Sequence, residues 1–347
     1  MGADAGLDGV VVAQTRLSDV DGEAGELVIA GESVEKLAAR ATFEQACALL
    51  WDEKSVDLGP ARQAAFARLQ GLGTALDAPD GMDALRAATA HLPQESTKAE
   101  ITAAVGVFAA VWARRQHSLT LLPPDARLTH AADLLRMMRG EPAPEPLVRG
   151  LDAYLVTVTD HGMNASTFTA RVIASTGSDL VSAVVGAIGA LKGPLHGGAP
   201  GPVLDMLEAV GAAANAESWL GAELAAGRRI MGMGHRIYRV RDPRAAVLEK
   251  AVEGLEAAGF TTGRLTLARA VERAATQVLA RRYPDRQLQA NVEFYTAVLL
   301  DTLGLPRGAF TPAFAAGRTA GWVAHVDEQR RTGRLIRPAS RYSRDPC

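Results

Sequence analysis

Cysteine is almost missing from this sequence: there are two in 347 residues, Cys47 inside an apolar run and Cys347 at the last position. Two cysteines so placed make neither a disulfide framework nor a thiolate metal site, and they fit a reducing, cytoplasmic setting. An excess of one charge is missing too. The formal net charge is −2, whereas a nucleic-acid binder carries a basic bias. No apolar run approaches the ~20 residues of a membrane helix. The longest, Val181 to Leu191, stops at Lys192-Gly193-Pro194 and reads as a buried helix. The start, Met1 to Gly6, lacks the basic-then-apolar order of a secretory signal. No Gly-x4-Gly-Lys-Ser/Thr loop, His-Glu-x2-His pair or Gly-x-Ser-x-Gly turn occurs, which removes the usual support for phosphate-loop nucleotidases, zinc proteases and serine hydrolases.

What remains is an ordinary globular balance, 48% apolar and 22% charged, able to build a large core, and a length that suggests about two domains. Most of the chain reads as helix. Thr42 with Gln45 and Thr97 with Glu100 form capping-box patterns. After the second, Ile101, Val105, Phe108 and Trp112 share one helical face. Further periodic runs begin near Thr129, Pro146, Ser178, Pro202, Ala245, Leu265, Asn291 and Thr311. Strand signals are few: Val10-Val11-Val12 and Leu27-Val28-Ile29 flank the polar stretch Ser18 to Gly25 and predict an N-terminal hairpin. Alternating strand and helix units are absent, which argues against a doubly wound sheet.

Chain-breaking residues concentrate in two loops. Lys192 to Pro202 (Lys-Gly-Pro-Leu-His-Gly-Gly-Ala-Pro-Gly-Pro) is too rich in glycine and proline for helix, as is Gly232-Met233-Gly234-His235. Each holds a histidine, and glycine lets backbone approach a ligand and leaves N–H groups free for anions. His91, His117, His130 and His325 read as surface or satisfied core groups. Arginines gather around the second loop at positions 228, 229, 236, 239, 241 and 244. They read either as a solvated helix start or as a reader of phosphates and carboxylates. Arg318 sits among small and apolar residues, where it needs an anionic ligand or a buried carboxylate. Gly232-x-Gly234 lacks the third glycine and preceding strand of a dinucleotide fingerprint, so a nicotinamide dehydrogenase has only this weak support.

Five ordered segments carry a resemblance: His161-Gly-Met-Asn-Ala-Ser-Thr-Phe-Thr-Ala-Arg171, Leu191 to Ala199, Met231 to Arg244, Asn291-Val-Glu-Phe-Tyr295 and Phe310 to Trp322. With the start, Gly6 to Thr15 and Asp21-Gly22, they resemble the citrate synthase family over nearly the whole chain. The resemblance implies an all-helical, two-domain homodimer, which with the N-terminal hairpin read above makes the expected fold mainly all-α. A small domain, 197–298, would close over a large one made of 1–196 and 299–347. It implies condensation of acetyl-CoA with oxaloacetate and water to citrate and CoA, in the cytoplasm, without metal or redox cofactor, membrane or nucleic acid.

The resemblance also implies roles. His196 would hydrogen-bond the thioester oxygen, Glu293 would take the methyl proton, and His235 would polarise the ketone. Arg244 and Arg318 would grip the oxo acid's carboxylates with Arg337 of the other subunit, and His161 would add a ligand contact. Arg239 would face the CoA phosphates, while Ile230, Met231, Gly232, Met233, Gly234 and Asn291 would border the nucleotide. Three positions depart from the family pattern: Glu293 stands where aspartate is usual, Ala290 where proline is common and Ala30 where arginine is frequent. The chain is also shorter than the NADH-regulated bacterial members. Two rival readings follow: 2-methylcitrate synthesis from propionyl-CoA in the same site, and a binding paralogue of low activity because of Glu293.

Overall fold

The computed structural model describes residues 7, 9–197, 200–340 and 342. The first six residues, Cys347 and the Gly198-Ala199 part of the His196 loop lie outside the described residues. Among the described residues the chain forms fifteen α-helices and one antiparallel sheet, β1 (Ser18–Asp21), β2 (Glu26–Ile29) and β3 (Glu32–Ser33), in that order. No helix among them is long and apolar enough to cross a membrane.

The predicted hairpin has a different first strand. Val10 to Val12 is irregular, with Val11 84% exposed, and β2 pairs instead with β1, placing Val20 opposite Leu27. The turn explains the choice. Asp21 Oδ1 accepts the N–H groups of Glu23 and Ala24, and Gly25, at φ +70°, donates to the Asp21 carbonyl. This short closure loses less chain entropy than one reaching back to Val12.

Nine helices follow: α1 (Val34–Arg40), α2 (Phe43–Trp51), α3 (Gly59–Ala67), α4 (Gly81–Thr89), α5 (Lys98–Gln116), α6 (His130–Arg139), α7 (Glu145–Val158), α8 (Ala165–Ser175) and α9 (Leu180–Leu191). Then come α10 (Pro200–Val210), α11 (Ala216–Ala225), α12 (Pro243–Ala257), α13 (Arg264–Arg282), α14 (Val292–Thr302) and α15 (Phe310–Thr332). Both capping boxes form, at Thr42 and Thr97. Pro200-Gly201-Pro202, expected in the loop, is the first turn of α10, because first-turn N–H groups need no helical partner and proline has none to lose. The boundary expected at 298/299 falls within α14.

Helices α5 and α15 are buried for most of their length and pack on each other at the centre of the fold. Helix α15 also packs on α7, α8 and α9. Its contact with the end of α7 depends on missing side chains: a Cβ on Gly321 would sit 2.1 Å from the Thr159 carbonyl oxygen, and one on Gly317 would sit 2.6 Å from Val158 Cγ2. That approach lets Arg318 Nε donate to the Val158 carbonyl. Gly321→Ala is therefore expected to lower stability by about 3 kcal/mol, the upper range for overpacking. An unchanged thermal unfolding midpoint would show that the helices do not meet this tightly.

Candidate active site

Three capped helix N-termini carry or precede groups that act on Arg318 of α15 or on one another. Asn164 caps α8, Asp242 caps α12 and Asn291 caps α14, each accepting a backbone N–H through its side chain. The partial positive charge of such ends favours anions. His161 precedes α8, His196 follows α9, His235 lies between α11 and α12, and Arg244, Glu293 and Arg318 stand on α12, α14 and α15.

Backbone donors settle the histidine tautomers. The Ser166 N–H points at His196 Nε2 from 3.3 Å, and the Ser166 hydroxyl lies 2.8 Å from the same atom. An N–H can only donate, so Nε2 accepts and the ring proton is assigned to Nδ1. His235 is the mirror case: its Nδ1 accepts from the Ile237 and Tyr238 N–H groups at 3.0 and 3.2 Å, which leaves the proton on Nε2. Burial, and after it the nearby arginines, lowers both imidazoles to about 4. At neutral pH each is an uncharged ring with one N–H to offer. His235 Nε2 lies 3.4 Å from Arg244 Nη2. Two donors this close suit one shared acceptor oxygen.

His161 is buried, its Nε2 3.1 Å from the Tyr238 hydroxyl and its ring 5.4 Å from that of His235. Burial, then Arg244 and Arg318, holds it well below the usual histidine range. Arg244 makes a buried bidentate pair with Asp242, at 3.0 and 2.7 Å. Arg318 is 1% exposed and packs over the Phe314 ring at 4.9 Å. Its Nη2 has no partner, and burial lowers it to about 10, so it stays charged at neutral pH.

Glu293 occupies the first turn of α14, its N–H held by Asn291 Oδ1 at 3.0 Å. Its carboxyl is buried and Oε2 has no partner. Burial, the largest cause, raises its pKa to about 7; Arg244 and Arg318 pull it down and Asp242 pushes it up. A carboxyl tuned to neutral pH under the influence of two guanidinium groups, which also act on the uncharged rings of His196 and His235, has the chemistry to remove a proton while those N–H donors stabilise the charge that develops.

The remaining predicted positions lie around this cluster. Residues 230–234 run beside the start of α14: Asn291 N–H donates to Gly232 O, Asn291 Nδ2 to Gly234 O, both at 2.9 Å, and Met233 bridges to Ala290. Gly232, at φ +71°, has no room for a Cβ, which would sit 3.0 Å from Phe294 and Val203. Arg239 is exposed beside the β1–β2 turn, donating its N–H to Gly22 O at 2.9 Å, with Nε 3.9 Å from Glu23. The arginine run does not form one patch, since Arg228 pairs with Glu223 and Arg241 with Glu249 and Glu272. Arg337 is not in this chain's cluster. It is exposed and lines a separate groove of ≈ 580 Å³ with Leu7, Arg171 and Arg334.

Sequence reasoning missed Ser166, Tyr238, Asp242 and Tyr154, all buried. The cap signal Asp242-Pro243-Arg244 was available. Ser166 lies in the quoted His161 segment, but its bonds to His196 and to Trp322 Nε1 (3.0 Å) join distant parts of the chain. His325 is a buried, satisfied group, 3.1 Å from Asp160 and 2.8 Å from Arg171. No cluster of three or more His, Cys, Asp or Glu able to hold a metal occurs among the described residues.

Fold and site define a mainly α-helical protein with a buried carboxyl, two buried arginines and three neutral histidines drawn from separate parts of the chain. The sequence pattern for the C-terminal domain of citrate synthase matches residues 6–339, and this chain belongs to the citrate synthase family. It is 40% identical over 348 residues to "putative citrate synthase 2" of Mycobacterium tuberculosis, covering 97% of this chain and 92% of that one. It is 37% identical over 360 residues to the 2-methylcitrate synthase of M. tuberculosis, with coverage of 97% and 89%. The crystal structure of citrate synthase from Thermotoga maritima matches at TM-score 0.84 and 34% identity, over 98% of this chain and 95% of that one. A Thermoplasma acidophilum citrate synthase in ternary complex with carboxymethyl-CoA and oxaloacetate matches at TM-score 0.88 and 26% identity, with coverage of 99% and 96%.

Proposed function

We propose that this protein condenses acetyl-CoA with oxaloacetate and water to give citrate and free CoA. The observation that carries the reading is Glu293, a buried carboxyl with a free oxygen and a pKa raised to about 7, acted on by the same Arg244 and Arg318 that act on the neutral rings of His235 and His196. Glu293 takes a proton from the thioester's methyl group as the C–H bond breaks, and the enolate oxygen receives a hydrogen bond from His196 Nδ1. The enolate carbon then attacks the ketone carbon. The ketone oxygen gains the negative charge and is stabilised by the Nε2–H of His235. That oxygen takes up a proton to become the hydroxyl of citrate as Glu293 gives up the one it removed. Water then hydrolyses the citryl thioester, its oxygen bonding the acyl carbon while the C–S bond breaks and the thiol leaves with a proton. No electron leaves the substrates, so the steps need no redox cofactor, and the electrophiles are side chains rather than a metal.

Arg244 and Arg318 hold the oxo acid's carboxylates in this reading, with His161 as a further contact. Arg337 reaches the site of a second copy in a homodimer, which fits its distance from this chain's own cluster. Arg239 faces the CoA phosphates, residues 230–234 and Asn291 border the nucleotide, and residues 197–298 close over the rest to exclude water. A reducing, cytoplasmic setting suits the buried free thiol of Cys47.

Purified protein is expected to release free thiol from acetyl-CoA only when oxaloacetate is present. Silence with acetyl-, propionyl- and butyryl-CoA alike would contradict the reading. The same assay reads the acyl length, because one methylene changes binding in an apolar pocket by only ~1–3 kcal/mol. A faster reaction with propionyl-CoA would assign 2-methylcitrate synthesis.

A further inference from the structure

Three buried polar atoms lack hydrogen-bond partners on α7 and the two helices it packs against, α14 and α15: Tyr154 Oη, Glu293 Oε2 and Arg318 Nη2. Tyr154 is completely buried, one helical turn before Val158, whose carbonyl holds Arg318 Nε. The charges of Glu293 and Arg318 both act on its hydroxyl. A buried hydroxyl gains by finding a partner. Here the chemistry selects one arrangement. Arg318 Nη2 can only donate, with two N–H groups that can serve a phenol and a ligand carboxylate together, and an ionised Glu293 can only accept, whereas a phenol does both. One chain, Arg318 to Tyr154 to Glu293, would satisfy all three atoms.

We propose that Tyr154 is a positioning residue for Glu293, its hydroxyl donating to the carboxylate in the closed, ligand-filled site and holding it ionised and aimed. The proposal rests on the reading of Glu293 as the base. The other charged groups acting on Glu293 are Arg244, Asp242 and Arg318; Tyr154→Phe keeps all three in place, and of them only Arg318 interacts with Tyr154. A hydrogen bond to the ionised form lowers a carboxyl pKa, so losing it raises the pKa.

The test is the pH profile of oxaloacetate-dependent thiol release by Tyr154→Phe. The ring remains, and the lost hydroxyl has no partner in the ligand-free protein, so the fold is retained; a thermal midpoint checks this. The acidic limb of kcat is expected to move up by about one unit, lowering kcat near pH 7 by up to about 10-fold with recovery at high pH. The KM for oxaloacetate stays within about 2-fold, because Arg244 and His235 are untouched and Arg318 keeps its charge and its Val158 anchor. A limb that does not move, with or without a lower midpoint, overturns the proposal and leaves Tyr154 as packing. Measuring Glu293→Gln alongside separates the two claims: full turnover in that variant would defeat the base assignment itself.

Discussion

Glu293→Gln is expected to lower turnover by roughly 1,000-fold, within the range that general base catalysis contributes. The amide has the shape of the carboxyl but cannot accept the methyl proton. Oxaloacetate affinity should remain largely intact, because the arginines and His235 that hold the oxo acid are untouched. Stability gives a control of opposite sign. Burial raises the folded carboxyl to about 7 from its ordinary 4.5, so folding favours its protonated form. Below the lower value both states are protonated and Glu293 adds nothing. Between 4.5 and 7 the unfolded chain ionises while the folded carboxyl keeps its proton, so stability falls across that window to a penalty of about 3 kcal/mol that is fully present above 7. Glu293→Gln removes the penalty. Its unfolding midpoint should exceed the wild type's at pH 8 and match it at pH 4, while activity is lost. Retained turnover would place the base elsewhere.

Arg318→Met should raise the KM for oxaloacetate by about 100-fold or more, which corresponds to the 2–5 kcal/mol typical of truncating one partner of a buried charge pair. The guanidinium is fixed on one side by the Val158 carbonyl and the Phe314 ring and has a free nitrogen on the other. In the free protein its burial is uncompensated at that nitrogen, which makes an incoming carboxylate the natural partner. Lysine would restore charge without the planar fork, so Arg318→Lys should recover only part of the loss. A second effect has a defined sign. Arg318 lowers the pKa of Glu293, so Arg318→Met should move the acidic limb of activity upward. Isothermal titration with oxaloacetate separates the binding loss from the kinetic one, and unchanged affinity would remove Arg318 from the site.

How much could be read from the sequence depended on the range of the signal. Helix starts at Thr42, Thr97, Thr129 and Asn291 were legible because a cap and its helix lie within a few residues of each other. The loops around His196 and His235 were legible because glycine and proline interrupt helical periodicity locally. Val10 to Val12 misled because β-branched composition says nothing about which turn closes a strand pair, and Asp21 with Gly25 made the closer turn. Arg318 was flagged as needing a partner, but that its Nε would rest on Val158, 160 positions earlier, depends on two glycines of α15 meeting the end of α7. Tyr154 was invisible: within Leu151 to Val158 it reads as one more apolar core position, and only the packing of α7 against α14 and α15 shows that its hydroxyl is unpaired. Asp160 and His325, 165 positions apart, likewise carry no local pattern.

The central claim is that His196, His235 and Glu293 surround one reacting pair of small molecules. A crystal structure of this protein with oxaloacetate and carboxymethyl-CoA tests it most directly. The account predicts His235 Nε2 within hydrogen-bond distance of the oxaloacetate ketone oxygen, and His196 Nδ1 and Glu293 both against the carboxymethyl group. Ligands bound with Glu293 out of reach of that group, or with the two imidazoles on separate molecules of solvent, would contradict it.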